Sequence, residues 1–167
     1  PDFESLSRAS LLEVYRVWQG LGYNRRAKAL IEIARAVQED FGGKLPEDES
    51  ELLKLPMIGE TTAAGVRAFA FERPAVYLET NIRRVFIHFF FDRRVEVRDR
   101  EIRRIAVAML DSGEPAQWHY ALMDYGVFLK GVRPGLNRRS VHYPAQARFE
   151  GSHRQIRGAI LRFLSAH

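Results

Sequence analysis

Residues 51–71 read ELLKLPMIGETTAAGVRAFAF. A short helix is predicted from about Asp48 to Leu53, running into the turn Leu55-Pro56-Met57-Ile58-Gly59. A second helix is predicted from near Glu60 through Ala70. In such a hairpin the turn's N–H groups and the start of the second helix point outward together, which suits an anion such as a phosphate. Gly59 leaves room for that approach, and Thr61 and Thr62 add hydroxyl donors. A contact of this kind holds a backbone phosphate and carries no sequence information. The same pattern also reads as a plain pair of helices whose glycine only ends the first one.

Helical periodicity continues on both sides. Upstream, Ser10 and Glu13 make a capping box, followed by Leu11, Leu12, Tyr15 and Trp18 on one face. Gly20 and Gly22 stop that helix, and Asn24 is placed to cap the next. There Ala27, Leu30, Ile31, Ala34 and Val37 repeat at helical spacing until Gly42-Gly43. Downstream, Ile82, Val85, Phe86, Phe89 and Phe90 form a stripe, with Arg83 and Arg84 off it. Asp99 is placed to cap a helix carrying Ile102, Ile105, Ala106 and Met109, and another helix is expected from about Glu114 to Leu129. Residues 131–150 break the pattern with Gly131, Pro134, Gly135 and Pro144. Ser152 then caps a last helix, with Ile156, Ile160, Phe163 and Leu164 expected inward. No alternating strand pattern outlasts about four residues. The fold class expected is all-α, without an internal repeat.

Composition narrows the function classes. At 167 residues and 19.3 kDa the chain suits one domain or two small lobes. No apolar run approaches the ~20 residues that span a bilayer, and PDFESLSRAS lacks the basic start and apolar core of a signal peptide. Cysteine is absent, which excludes disulfides, thiolate metal sites and cysteine nucleophiles and is compatible with a reducing cytoplasm. The five histidines show no paired spacing with carboxylates that would specify zinc. Net charge is +5, and all the basic residues except Lys28, Lys44, Lys54 and Lys130 are arginines. Arginine's planar fork grips phosphates two-handed, so this balance fits a polyanionic partner; a biased genome composition produces the same excess.

The hairpin and three further segments share a resemblance. LPMIGETTA resembles the LPGxGxxTA hairpin of the helix-hairpin-helix DNA glycosylases, the superfamily of endonuclease III and the MutY adenine glycosylases. VWQGLGYNRRAKAL (17–30) is similar to that family's W-x-G-L-G-Y-x-x-R-A-x-x-L segment. VYLETNIRRV (76–85) sits where the family has an aspartate-bearing helix start, and ALMDYGVFLK (121–130) matches A-x-M-D-x-G. Together they cover residues 1 to about 130. The resemblance implies a helical-barrel lobe over 1–78 with its hairpin at 48–70, and a second helical lobe over 79–167. It also implies double-stranded DNA as partner, a monomer, and a cytoplasmic location with the nucleoid if the source is bacterial.

The chemistry it implies is removal of a base. Glu79 stands where the family most often has Asp, and a carboxylate there would stabilise the oxocarbenium-like sugar left as the N-glycosidic bond breaks. Read without the family, Glu79 caps its helix. The lysine that gives bifunctional members their lyase step corresponds to Thr61, so the expectation is a monofunctional enzyme that activates water. The expected substrate is a damaged or mismatched base: adenine opposite guanine or 8-oxoguanine first, with uracil or thymine opposite guanine and oxidised or alkylated bases as other candidates. Tyr23 would stack on or wedge beside a base during extrusion, or else pack a helix junction. Asn81 and Arg83 are candidates for the DNA backbone.

Three departures stand out. Met57 replaces the hairpin's first glycine, at a cost of ~1 kcal/mol or more if the turn needs positive φ. Lys130 stands in place of the first of four cluster cysteines, so no iron–sulfur cluster is expected and segment 131–167 must close its lobe by packing. Within it Arg138, Arg139, His142, Tyr143 and Arg148 are candidate phosphate contacts, or a solvated basic loop. The family's upstream helix, with a catalytic glutamate and a glutamine-rich loop, has no counterpart, and a start downstream of both is expected, with barrel helices missing. No protein-liganded metal is expected; the resemblance implies a monovalent cation on the hairpin carbonyls. The alternatives are a non-catalytic hairpin module that only binds DNA, and a helical interaction protein.

Overall fold

A computed structural model describes residues 2–143 and 148–166. In chain order the elements are α1 (Phe3–Arg8), α2 (Leu11–Trp18), α3 (Arg25–Phe41), α4 (Glu49–Leu52), α5 (Glu60–Ala70), α6 (Thr80–Phe90), α7 (Asp99–Met109), α8 (Pro115–Val132), a 3-10 turn (Leu136–Arg139) and α9 (His153–Ala166). Among the described residues the only strand-like feature is one parallel bridge, Val97 with Ser140. The all-α expectation is met.

The chain forms two compact units, each discontinuous in sequence. One comprises Pro1–Pro46, Ser50–Met57 and Ala145–His167, the other Glu47–Glu49 and Ile58–Pro144. These bounds differ from a split at residue 78, because α9 returns to meet α2 and joins the first unit.

In the first unit α3 carries the core, with Ala27, Ala29, Ile31, Ala34 and Val37 buried on one face. Helix α1, unforeseen in the sequence, packs on α3 and starts at Asp2, whose carboxylate accepts the Ser5 N–H at 2.7 Å. The Ser10–Glu13 capping box is present on α2. Asn24 is not the cap expected of it: it is already helical and its side chain makes no capping bond. The apolar face of α9 is also a correction. Ile156, Ile160, Phe163 and Leu164 are all more than half exposed, since α2 is the helix α9 meets and it leaves that stripe uncovered.

In the second unit α6 is the central element, touching α7, α8 and the 3-10 turn. Its core joins Leu78, Ile82, Phe86 and Ile87 to Val97, Ile102, Ala106 and Leu136. Leu136 comes from the segment that lacks helical periodicity, so that segment packs by placing one leucine into the core. The Val97 N–H donates to the Arg139 carbonyl at 2.8 Å, and the Val141 N–H donates to the Val97 carbonyl at 3.1 Å. The expected cap of α7 also moves: Arg98 precedes the helix and Asp99 is its first residue.

Candidate active site

The hairpin folds as its sequence demands. Met57 adopts φ +57°, so the turn does require a left-handed residue there, and its side chain is exposed. Gly59 is extended (φ −104°, ψ 174°) and precedes α5, its carbonyl accepting the Ala63 N–H at 2.9 Å. Nothing stands within 4 Å of the place a Gly59 Cβ would occupy, and Gly59 makes no side-chain cap. Solvent and solute therefore reach the first turn of α5, where Thr62 is exposed and Thr61 half-buried. In the second unit Arg67 and Arg73 fasten the flanks, to Glu49 and Glu47, each at 3.0 Å.

Nine residues past the end of α5 the chain turns into α6 at Glu79, which is half-buried. Its backbone is extended while its side chain folds back over the helix start. Oε1 accepts the N–H of Asn81 at 2.6 Å and of Ile82 at 2.8 Å. Oε2 faces the Asn81 amide, whose Nδ2 donates at 3.4 Å. The carboxylate is thus held by the capping bonds, and the capping reading of the sequence is correct whatever else Glu79 does.

Asn81 is in turn held from behind. Its Oδ1 accepts from Arg84 Nη1 at 2.7 Å, and the same nitrogen donates to the Gly126 carbonyl on α8. Arg84 is only 7% exposed. Although it lies off the apolar stripe of α6, two carbonyl-type acceptors satisfy its head where water cannot reach. Gly126 belongs to the A-x-M-D-x-G segment, and α8 approaches α6 so closely there that a Cβ would collide with Asn81.

Other candidates are engaged elsewhere. Arg83, a candidate for the DNA backbone, is held within its own unit. It makes a two-pronged pair with Asp99 of α7, Nε to Oδ1 at 2.8 Å and Nη2 to Oδ2 at 2.7 Å, with 11% of its side chain exposed. Burial disfavours the Asp99 anion, but the Arg83 bonds and charge, helped by His142 and Arg103, outweigh it and hold its carboxyl below the ordinary range. Arg139 Nη1 donates to the carbonyls of Phe91 and Asp92 and so fastens a loop; Arg138, its neighbour, is exposed. His142 and Tyr143 are exposed, and Arg148 pairs with Glu150 at 2.7 Å. Tyr23, in the first unit, is 64% exposed at φ +49°, with the Arg26 guanidinium 5.1 Å from its ring centre. Its loop is closed by the Trp18 indole N–H donating to the Gly22 carbonyl at 2.8 Å.

Sequence reading missed two supports. Asn137, in the 3-10 turn, is 4% exposed and its Nδ2 donates to the Thr80 carbonyl at 3.0 Å. His119 is fully buried: its Nδ1 bonds the Pro115 carbonyl at 2.6 Å, and its Nε2 accepts the Tyr77 N–H at 3.1 Å. Burial pushes His119 below the ordinary histidine range, against the Pro115 bond. A polar residue inside an apolar run was the signal for His119; nothing local marked Asn137. Among the described residues no three His, Cys, Asp or Glu side chains gather as a metal site, which does not bear on backbone carbonyls.

The pattern defining the HhH-GPD superfamily of base excision DNA repair proteins matches residues 1–108. The chain belongs to that superfamily. This HhH-GPD chain is 31% identical over 179 aligned positions to an adenine DNA glycosylase of Mycolicibacterium smegmatis, covering 96% of itself and 60% of the relative. To the adenine DNA glycosylase of Homo sapiens it is 31% identical, covering 75% of itself and 24% of the relative. With one from Buchnera aphidicola the identity is 29%, over 77% of the chain and 37% of the relative. The chain therefore spans between about a quarter and three-fifths of these relatives' lengths. Among solved structures, a thermostable thymine-DNA glycosylase shares the fold with a TM-score of 0.66 at 24% identity, covering 85% of this chain and 70% of that one. An endonuclease III, solved in a non-covalent complex with DNA, does so with a TM-score of 0.60 at 20% identity, covering 98% and 72%. No described helix is long and apolar enough to cross a membrane.

Proposed function

We propose that this HhH-GPD chain is a monofunctional DNA glycosylase, hydrolysing the N-glycosidic bond of adenine opposite guanine or 8-oxoguanine. The observation that carries this reading is Glu79: a carboxylate fixed at a helix start, nine residues beyond the second hairpin helix. As the base leaves, positive charge grows on the sugar ring, and a carboxylate already held in place stabilises it without reorganising. Two amide bonds fix Oε1 and leave Oε2 with one long bond from Asn81, so Oε2 is the oxygen that would face the sugar. Water then completes the sugar and leaves an abasic site. Thr61, in the first turn of α5, cannot form the Schiff base of a lyase, which supports the monofunctional reading.

The first turn of α5 would hold a backbone phosphate of duplex DNA through its open N–H groups and Thr62, and Tyr23 would meet an extruded base. Exposed Arg138 would add a phosphate contact. The packed 3-10 turn closes its lobe in place of a cluster, for which the chain has no cysteine. The adenine preference is supported by the adenine DNA glycosylases among the relatives.

A second reading, a module that binds DNA without cleaving it, is favoured by one observation: capping alone accounts for both short bonds to Glu79. Strand cleavage on duplexes each carrying one mismatch or damaged base, with and without hot alkali, separates the two. Alkali-dependent cleavage of the adenine duplexes, lost in Glu79→Gln, is the expected result. Salt-sensitive binding with no cleavage of any duplex would leave the module.

A further inference from the structure

The peptide unit joining Thr80 to Asn81 is gripped at both ends. Its N–H donates to Glu79 Oε1 at 2.6 Å, and its carbonyl accepts from Asn137 Nδ2 at 3.0 Å. A peptide is planar, so a donor that fixes the direction of the carbonyl also fixes the direction of the N–H on the other side. A carbonyl that accepts a bond also polarises its peptide and strengthens the donor at the far end.

Asn137 is costly for its position. It is 4% exposed, and its Oδ1 has no hydrogen-bond partner. A buried unsatisfied carbonyl is a net loss to the fold that a leucine would not incur. The Thr80 carbonyl does not need Asn137 to be satisfied either, since it lies in the first turn of α6 and takes an N–H from within the helix. What Asn137 uniquely supplies is a second, directional donor at the peptide that aims at Glu79. It is delivered by a rigid neighbour: Leu136 is in the core, and Ser140 is bridged to Val97.

We infer that Asn137 is a positioning residue for Glu79, acting through the Thr80–Asn81 peptide, and that the cysteine-free segment 135–141 thereby governs the placement of the carboxylate. The inference rests on the proposed role of Glu79. It differs from a structural role in the sign of one effect. A structural asparagine loses stability and activity together when replaced. Asn137→Leu removes an orphaned oxygen, so its melting temperature should equal or exceed that of the unmodified chain, while excision slows.

The experiment compares the unmodified chain, Asn137→Leu and Asn137→Ala. It reads the melting temperature, duplex affinity, single-turnover excision on the adenine duplexes, and hydrogen exchange at the Asn81 and Ile82 amides. Expected for Asn137→Leu are excision at least tenfold slower, affinity within twofold, an unlowered melting temperature, and tenfold faster exchange at those two amides alone. Asn137→Ala, which leaves a void, should show the same slowing and the same exchange, with some loss of stability. The inference is overturned if Asn137→Leu excises within twofold of the unmodified rate or leaves both amides unchanged. It is overturned equally if melting temperature, affinity and excision fall in step in both variants. Should the unmodified chain excise nothing while the two amides still respond, the positioning of Glu79 stands and the glycosylase reading fails.

Discussion

Gly126 of α8 and Asn81 of α6 meet backbone to backbone: a Cβ on the glycine would lie 2.7 Å from the Cβ of the asparagine. Carbon atoms in good contact stay ~3.5–4.0 Å apart, so even a methyl group forces the helices apart. The Gly126 carbonyl also takes the Arg84 guanidinium, so spreading the helices would release the residue that holds Asn81 beside Glu79. Gly126→Ala is expected to cost about 1–3 kcal/mol or more. That lowers the melting temperature by roughly 2–4 °C for each kcal/mol. Excision should fall further than the stability loss accounts for, when both are measured well below the transition.

The Arg83–Asp99 pair gives a prediction in acid. Asp99 has its folded-state carboxyl held below 3.8, its ordinary value, by Arg83 prevailing over burial. The unfolded chain therefore takes up its proton first as pH falls. The stabilisation is complete above about pH 3.8 and is lost as pH falls through the lower folded value. Urea titrations should show Asp99→Asn less stable than the unmodified chain at pH 7, by about 1–3 kcal/mol. The gap should narrow toward pH 3.

His119 acts in a higher window. Both ring nitrogens are committed, with Nε2 as an acceptor, so protonation must break the bond from Tyr77. Its pKa lies below 6.5, and the unfolded chain binds the proton more readily. Stability is full above about 6.5 and declines as pH drops through the folded value. Between pH 7.5 and 5 the unmodified chain should lose more stability than His119→Gln, which keeps an acceptor and does not titrate.

At Met57 the backbone sets the ranking. Its φ of +57° costs a residue with a Cβ about 1–2 kcal/mol, while glycine gives back about 0.5–1 kcal/mol in chain entropy. Met57→Gly should therefore leave stability unchanged or slightly higher. Met57→Val, branched at Cβ, should lower it by more than 1 kcal/mol. Denaturant midpoints decide the order, and a valine variant as stable as the parent would contradict the geometry.

The legible parts of this chain were those with local causes. Helix α5 begins and ends where Gly59 and the alanine-rich run place it, and the Ser10–Glu13 box forms because both partners lie within one turn. The misreadings came from partners far along the chain. Asp99 was expected to cap α7, but Arg83, 16 positions earlier, takes its carboxylate. Arg84 lies off the apolar stripe of α6, yet a carbonyl 42 positions later holds it inside. The motif around Gly126 was recognisable as a motif; the close approach of α8 that requires the glycine was not, since periodicity names a face and not its neighbour. Glu79 was singled out by the resemblance of VYLETNIRRV to the family's helix start, whereas Asn137 sits in a stretch with no period at all.

The Val97–Ser140 bridge also dictates an order of assembly. Val97 is satisfied only when Arg139 and Val141 exist to pair with it, and Leu136 completes the core that Leu78 and Ile82 begin. On a ribosome adding ~5–20 residues per second, Val97 waits ~2–9 s for its partners. During that interval the growing chain carries α6 and α7 with their shared apolar face open. The second unit closes only when its last stretch arrives, so the carboxylate-bearing turn is among the last parts to be locked into place.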